Sequence, residues 1–114
     1  MAASKLEESM SRQLDEAGIG YEREQMLIPG RRFRFDFVLP QSCLIVECEG
    51  GTWSGGRHTS GIGFRNDCVK YNLAVEHGYV VLRYTSDLIK NGSAIESIRR
   101  VHERYAVQTF VEAL

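Results

Sequence analysis

Three acids stand close together in one short stretch of the chain: Asp36 in RFRFDFVL, and Glu47 and Glu49 in CLIVECE. Glu47 and Glu49 are two residues apart on a run of β-branched and apolar character, so as a strand they leave the same face roughly 7 Å apart. Around Asp36 the period is also two. Phe33, Phe35, Phe37 and Leu39 alternate with Arg32, Arg34, Asp36 and Val38, and the first set is expected on a single apolar face. Pro40-Gln41-Ser42 supplies a turn, so the two runs should close as an antiparallel hairpin. Pairing residues whose numbers sum to 83 sets Asp36 opposite Glu47 and Arg34 opposite Glu49. A slip by one residue would set Asp36 against Val46 and Glu47 against Phe35, mixing charge into the phenylalanine face. The first register is therefore expected. Facing carboxylates cost about 0.2–1 kcal/mol on an exposed sheet and more when desolvated. Two arrangements offset that cost. One is a hard divalent cation, Mg²⁺ or Mn²⁺, gripped by the converging oxygens. The other is a surface net of ion pairs, Asp36 with Arg32 or Arg34 and Glu49 with an arginine.

Other residues of chemical interest gather around this hairpin. Glu7 stands three residues after Ser4, a spacing that a capping box explains fully and that also suits a carboxylate presented on the first helix. Six of the 11 glycines fall between Gly50 and Gly63, in a stretch that also carries Trp53, Arg57 and His58, with Arg65 just beyond. A long glycine-rich loop in a small domain is more often functional than idle. Lys70 follows on the next helix, where pairing with Asp67 at i,i+3 is its ordinary role. Cys43, Cys48, Cys68 and His58 could nominally ligate zinc, but Cys43 and Cys48 project to opposite strand faces and no Cys-X₂-Cys clamp exists.

The elements that must position these residues read as follows. A helix is expected from about Ser4 to Ala17, with Leu6, Met10, Leu14 and Ala17 at helical spacing and Gly18 as its stop. A short strand near Glu24 to Ile28 precedes the Pro29-Gly30 turn, and the hairpin follows. A second helix begins near Asn66 and ends at Gly78. YVVLRY is a further strand, Thr85-Ser86-Asp87 opens a turn or short helix, and Ser93 with Glu96 forms a second capping box heading a last helix to about Val111. The order describes one mixed α/β domain over residues 1–114.

Bulk composition narrows the classes without choosing among them. The 114 residues are 43% hydrophobic and 25% charged, an ordinary globular balance. No apolar run reaches the ~20 residues that cross a bilayer. The first residues turn charged at once, and three cysteines are an odd count, so reduced thiols in a cytoplasmic protein without a secretory signal are expected. The net charge is −1 and offers no global pull toward nucleic acid. Locally the balance differs: Arg31, Arg32 and Arg34 crowd four positions. Of the 14 bases only Lys5, Lys70 and Lys90 are lysine, leaving a preponderance of the residue suited to forked phosphate contact.

The runs RFRFDFVLPQSCLIVECEGGTW, GRHTSGIGF and NDCVKYNLAVEHGYVVLRYT resemble the PD-(D/E)XK nuclease superfamily, and within it the small very-short-patch-repair-type and related phage or bacterial endonucleases. The resemblance spans about residues 4–86. It implies a restriction-endonuclease-like αβββαβ core, with a small mixed sheet flanked by helices and here a C-terminal helix added. It implies a metal-dependent endodeoxyribonuclease in which Asp36 matches the aspartate and Glu47 the acid of the dipeptide signature. Asp36, Glu47 and the Cys48 carbonyl would then hold Mg²⁺, for which Mn²⁺ substitutes. Glu49 occupies the place of the family's lysine, as in variants ending Glu-X-(Asp/Glu)-Gly, and Lys70 is the candidate for a lysine moved to the next helix. Glu7 matches the helix glutamate. His58 is a candidate proton donor, and Arg32, Arg34, Trp53, Arg57 and Arg65 are candidate DNA contacts. DNA is the implied partner, with a homodimer if both strands are cut. The alternatives are a DNA-binding relative with degenerate chemistry and, from another class, a two-carboxylate glycosidase, for which the surroundings of the acids are too poor in aromatic residues.

Overall fold

The computed structural model describes residues 4–50 and 61–113, with side chains through residue 106. Trp53, Arg57 and His58 lie outside the described residues. In chain order the elements are α1 (Lys5–Glu16), β1 (Glu22–Gln25), β2 (Phe35–Leu39), β3 (Leu44–Glu49), α2 (Gly61–Glu76), β4 (Val80–Thr85), α3 (Ser86–Lys90) and α4 (Ser93–Ala113). The expected αβββαβ core is present, followed by a short helix and the C-terminal one. The first strand lies slightly earlier than the sequence suggests, and α2 starts five residues sooner than Asn66.

The four strands form one mixed sheet in the order β1-β2-β3-β4. β1–β2 and β2–β3 are antiparallel, while β3–β4 is parallel. A parallel pair cannot be joined by a tight turn, and α2 lies in the crossover that connects its two strands. Phe37 pairs with Val46, Val38 with Ile45 and Leu39 with Leu44, which is the hairpin register expected from the sequence.

Helices cover both faces. On one, Met10 and Leu14 of α1, Ile89 of α3 and Ala94 and Ile98 of α4 pack with Phe37, Leu39, Leu44 and Val46. On the other, Ala74 of α2 packs with Ile28, Phe35, Val38 and Ile45, and Phe33 rests against this group. The single phenylalanine face expected for β2 is therefore corrected: Phe33 and Phe35 serve one layer, Phe37 and Leu39 the other. The change of side occurs at Asp36, whose N–H is taken by a side chain instead of a ladder carbonyl. Opposite it on β1, Glu24 sits at φ 54°. Glu22↔Val38 and Gln25↔Phe35 keep one register on either side, so no residue is inserted at the change of side.

Helix ends follow local chemistry. Ser4 caps α1, its Oγ accepting the Glu7 N–H at 3.1 Å and donating to Glu7 Oε2 at 3.2 Å. Ser4→Ala is expected to cost about 1 kcal/mol, measurable as a lower urea midpoint with an unchanged slope. The second capping box does not form: Ser93 is already helical, and Asn91 Oδ1 accepts its N–H at 2.9 Å and its hydroxyl at 2.7 Å. Gly78 after α2 has φ 92°, where a side chain would be strained. His102 on α4 is structural, its Nδ1 lying 2.7 Å from the buried Ser42 hydroxyl in the hairpin turn.

Candidate active site

α1, β1, β2, β3 and α2 each send polar side chains to the end of the hairpin remote from its turn. A cavity of about 290 Å³ opens there, lined by five carboxylates (Glu7, Asp36, Glu47, Glu49, Asp67) and one ammonium, that of Lys70. Cys48, Gly63 and Tyr71 complete the lining. So dense an excess of acid in one hollow suits a cation far better than a bare phosphate.

The register sets Asp36 beside Glu47, and each carboxylate satisfies backbone of the opposing strand. Asp36 N–H donates to Glu47 Oε2 at 2.6 Å, and Cys48 N–H donates to Asp36 Oδ2 at 2.8 Å. Glu47 is 3% exposed. Its Oε1 accepts from Lys70 Nζ at 2.9 Å and from the Tyr71 hydroxyl at 3.0 Å. The Lys70 stem crosses Phe35, its ammonium 4.8 Å from the ring centroid. The ordinary reading of Lys70 as a partner of Asp67 is thus corrected: its ion pair is with Glu47. The packing of α2 against the sheet carries Lys70 inward.

Glu49 pairs with Arg83 of β4, the Nε donating at 2.7 Å, and not with Arg34 across the hairpin. Arg83 lies 4.3 Å over the Tyr71 ring and 3.9 Å from Asp67. Cys48 is half-buried among these acids, and burial first, then the Asp36 charge, pushes its thiol well above the usual range. Burial and the charge of Glu47 likewise push the Tyr71 phenol up, so it stays a donor.

Asp36 itself is poised differently. Desolvation first, then the neighbouring Glu47 charge, raises its carboxyl to about 7, against a partial offset from the Cys48 N–H. Oxygens of Glu7, Glu24 and Asp36 all lie within 4.8 Å of one another. Glu7 Oε1 is buried and meets no hydrogen-bond donor among the described residues. The Glu24 carboxyl is raised, first by hydrogen bonding to Glu7, then by burial and by the Glu7 charge. A shared proton or a metal ion placed between such groups would relieve their repulsion. Three carboxylates at this spacing, with one Glu7 oxygen left without a donor among the described residues, fit a hard divalent cation.

The structure thus brings Glu7, Asp36, Glu47, Cys48, Glu49 and Lys70 to one cavity. Arg32, Arg34 and Arg65 are exposed and stand outside its lining. Four contributors escaped the sequence reading. Asp67 and Tyr71 share a helical face with Lys70, a spacing that could have linked them. Arg83 is placed by the parallel pairing Glu47↔Arg83, and Glu24 by its positive φ. Neither of these has a local signal.

No protein-family model matches the chain, and no curated protein does. Among solved structures, the homing endonuclease I-Bth0305I catalytic domain superimposes with a TM-score of 0.71 at 18% identity, covering 90% of this chain and 98% of that one.

Proposed function

Starting from that shared architecture, we propose that this chain is a divalent-metal-dependent endonuclease that hydrolyses DNA phosphodiester bonds, in the PD-(D/E)XK manner and akin to the very-short-patch-repair-type enzymes. The observation that carries the reading is the acidic cavity, where Glu7 and Asp36, whose oxygens converge with that of Glu24, join a Glu47–Lys70 pair. The solved domain of the same fold is, by its name, catalytic and an endonuclease.

Asp36, flanked by Glu7 and Glu24 and backed by Glu47 and the Cys48 carbonyl, would hold Mg²⁺ or Mn²⁺. When bound, such an ion supplies positive charge to the phosphoryl oxygens and acidifies a water. The chain's own groups do the rest. Glu47 fixes the Lys70 ammonium at the cavity wall, where it stabilises charge on the phosphate. Lys70, supplied by α2 and held by Glu47, takes the part of the family's lysine, whose place in the strand Glu49 occupies. Glu49, held by Arg83 and by the Tyr71 hydroxyl at 3.4 Å, orients the incoming water. His58 protonates the leaving oxygen. Arg32, Arg34, Arg57 and Arg65 contact flanking phosphates, and Trp53 contacts a base. Cutting both strands calls for a second copy of the chain. The thiols are those of a cytoplasmic protein.

Supercoiled plasmid is expected to be nicked in Mg²⁺ or Mn²⁺ and left intact in EDTA, as read on an agarose gel. DNA retained without cleavage in either ion would overturn the catalytic reading in favour of a binding protein. Metal binding also has a pH signature. An ion competes with the Asp36 proton, so saturating Mg²⁺ should raise the melting temperature more at about pH 8 than at about pH 6.

A further inference from the structure

The acidic cavity continues into a second one of about 310 Å³. Glu49, Asp67 and Tyr71 belong to both, so the two hollows are neighbours that meet at these side chains. The second cavity adds Phe64, Cys68, Asn72 and Arg83. Its chemistry differs from that of the first. Arg83 is engaged by Glu49 and Asp67 and lies over Tyr71, so its charge is already matched and the pocket is poorly suited to a second phosphate. Phe64 is 67% exposed at the wall. A large ring left in water one turn into a helix is available to stack on a flat partner. Asn72 offers both a donor and an acceptor, the pair that reads the edge of a base.

We infer that this second cavity receives a nucleobase of a nucleotide adjoining the scissile phosphate, and hence that the substrate presents an unstacked base there: a single strand, a bulge or an extrahelical nucleotide. The inference rests on the nuclease reading and gives its substrate class. Adjoining hollows suit a phosphate in the acidic one and a base of the same strand in the other, and a base held within a duplex stack cannot enter such a pocket. Phe64 supplies the stacking platform and Asn72 the polar contact. Both are specificity residues and leave the metal-binding acids untouched.

Cys68 makes the pocket observable. Its thiol is exposed at the cavity, whereas Cys43, also exposed, lies in the turn before β3, at the far end of the strand from Glu49, and Cys48 is half-buried with a suppressed thiolate. The wild-type chain would be alkylated with iodoacetamide in Ca²⁺, alone and with a 12-nucleotide single strand, the same sequence as a perfect duplex, or that duplex with one extrahelical base. Modification would be followed by peptide mass spectrometry and binding by fluorescence anisotropy. The single strand and the bulged duplex are expected to slow Cys68 alkylation at least five-fold and the perfect duplex much less, with Cys43 unchanged throughout. Phe64→Ala, an exposed position that should not disturb folding, is expected to weaken single-strand binding about ten-fold and perfect-duplex binding little. Bound DNA that leaves Cys68 fully reactive, or equal protection by perfect duplex, would overturn the pocket and leave the nuclease reading standing. No binding of any of the three DNAs would overturn both.

Discussion

Asp36→Asn is expected to reduce plasmid nicking by about 10³-fold or more while making the metal-free protein more stable at pH 8. The loss of activity follows from removing the one carboxylate that stands in the middle of the acidic group, with Glu7 and Glu24 on one side and Glu47 on the other. The gain in stability follows from linkage. The folded-state pKa of about 7 lies above the ordinary value of 3.8, so the folded chain holds this proton more tightly than the unfolded one. Between roughly pH 4 and pH 7 the native state binds more protons, and stability falls as pH rises through that window. Asparagine carries no charge to bury, and its carbonyl oxygen still accepts the Cys48 N–H. With a discount for the partial exposure of the site, the gain is about 1–2 kcal/mol, or roughly 4–8 °C in melting temperature. It should vanish at about pH 4. A variant that melts no higher than wild type at pH 8 would mean that Asp36 is not strained by its neighbours.

Glu47→Gln should behave in the opposite way. Both its oxygens are used, by Lys70 and Tyr71 on one side and by the Asp36 N–H on the other. A side-chain amide must turn its NH₂ toward one of these donors, and the Lys70 ammonium, only 17% exposed, loses its counter-charge. Breaking such a buried pair costs about 3 kcal/mol, a fall of about 10 °C at any pH near neutrality. Activity should disappear as well, because Lys70 loses the group that holds it at the cavity. Adding Lys70→Met to Glu47→Gln is expected to recover much of the stability and none of the activity, a coupling that a double-mutant cycle measures. Two acids that look equivalent along the chain are thus expected to separate: one strained, the other holding the site together.

The difference between them marks the limit of what could be read along the chain. The turn at Pro40 and the apolar content of β2 and β3 led to the observed hairpin register, and with it Asp36 beside Glu47, although the uniform phenylalanine face that favoured it is in fact divided between two layers. Helix α1 was legible down to its Ser4 cap, since capping is settled by atoms three residues apart. The partners of the acids were not legible. Lys70 and Glu47 are 23 residues apart, and Arg83 and Glu49 are 34 apart. Their meeting depends on how far α2 rotates as it packs Ala74 against the sheet and on β4 lying parallel to β3, neither of which leaves a periodic trace. The side-switch at Asp36 and the positive φ of Glu24 also escaped, because both arise where a side chain replaces a ladder partner. Local periodicity and turn chemistry determined that the hairpin acids Asp36 and Glu47 lie together; only the packing of distant segments decided which other acids join them, which is neutralised by lysine or arginine and which is left facing other carboxylates, because charge pairing acts through space and carries no sequence period.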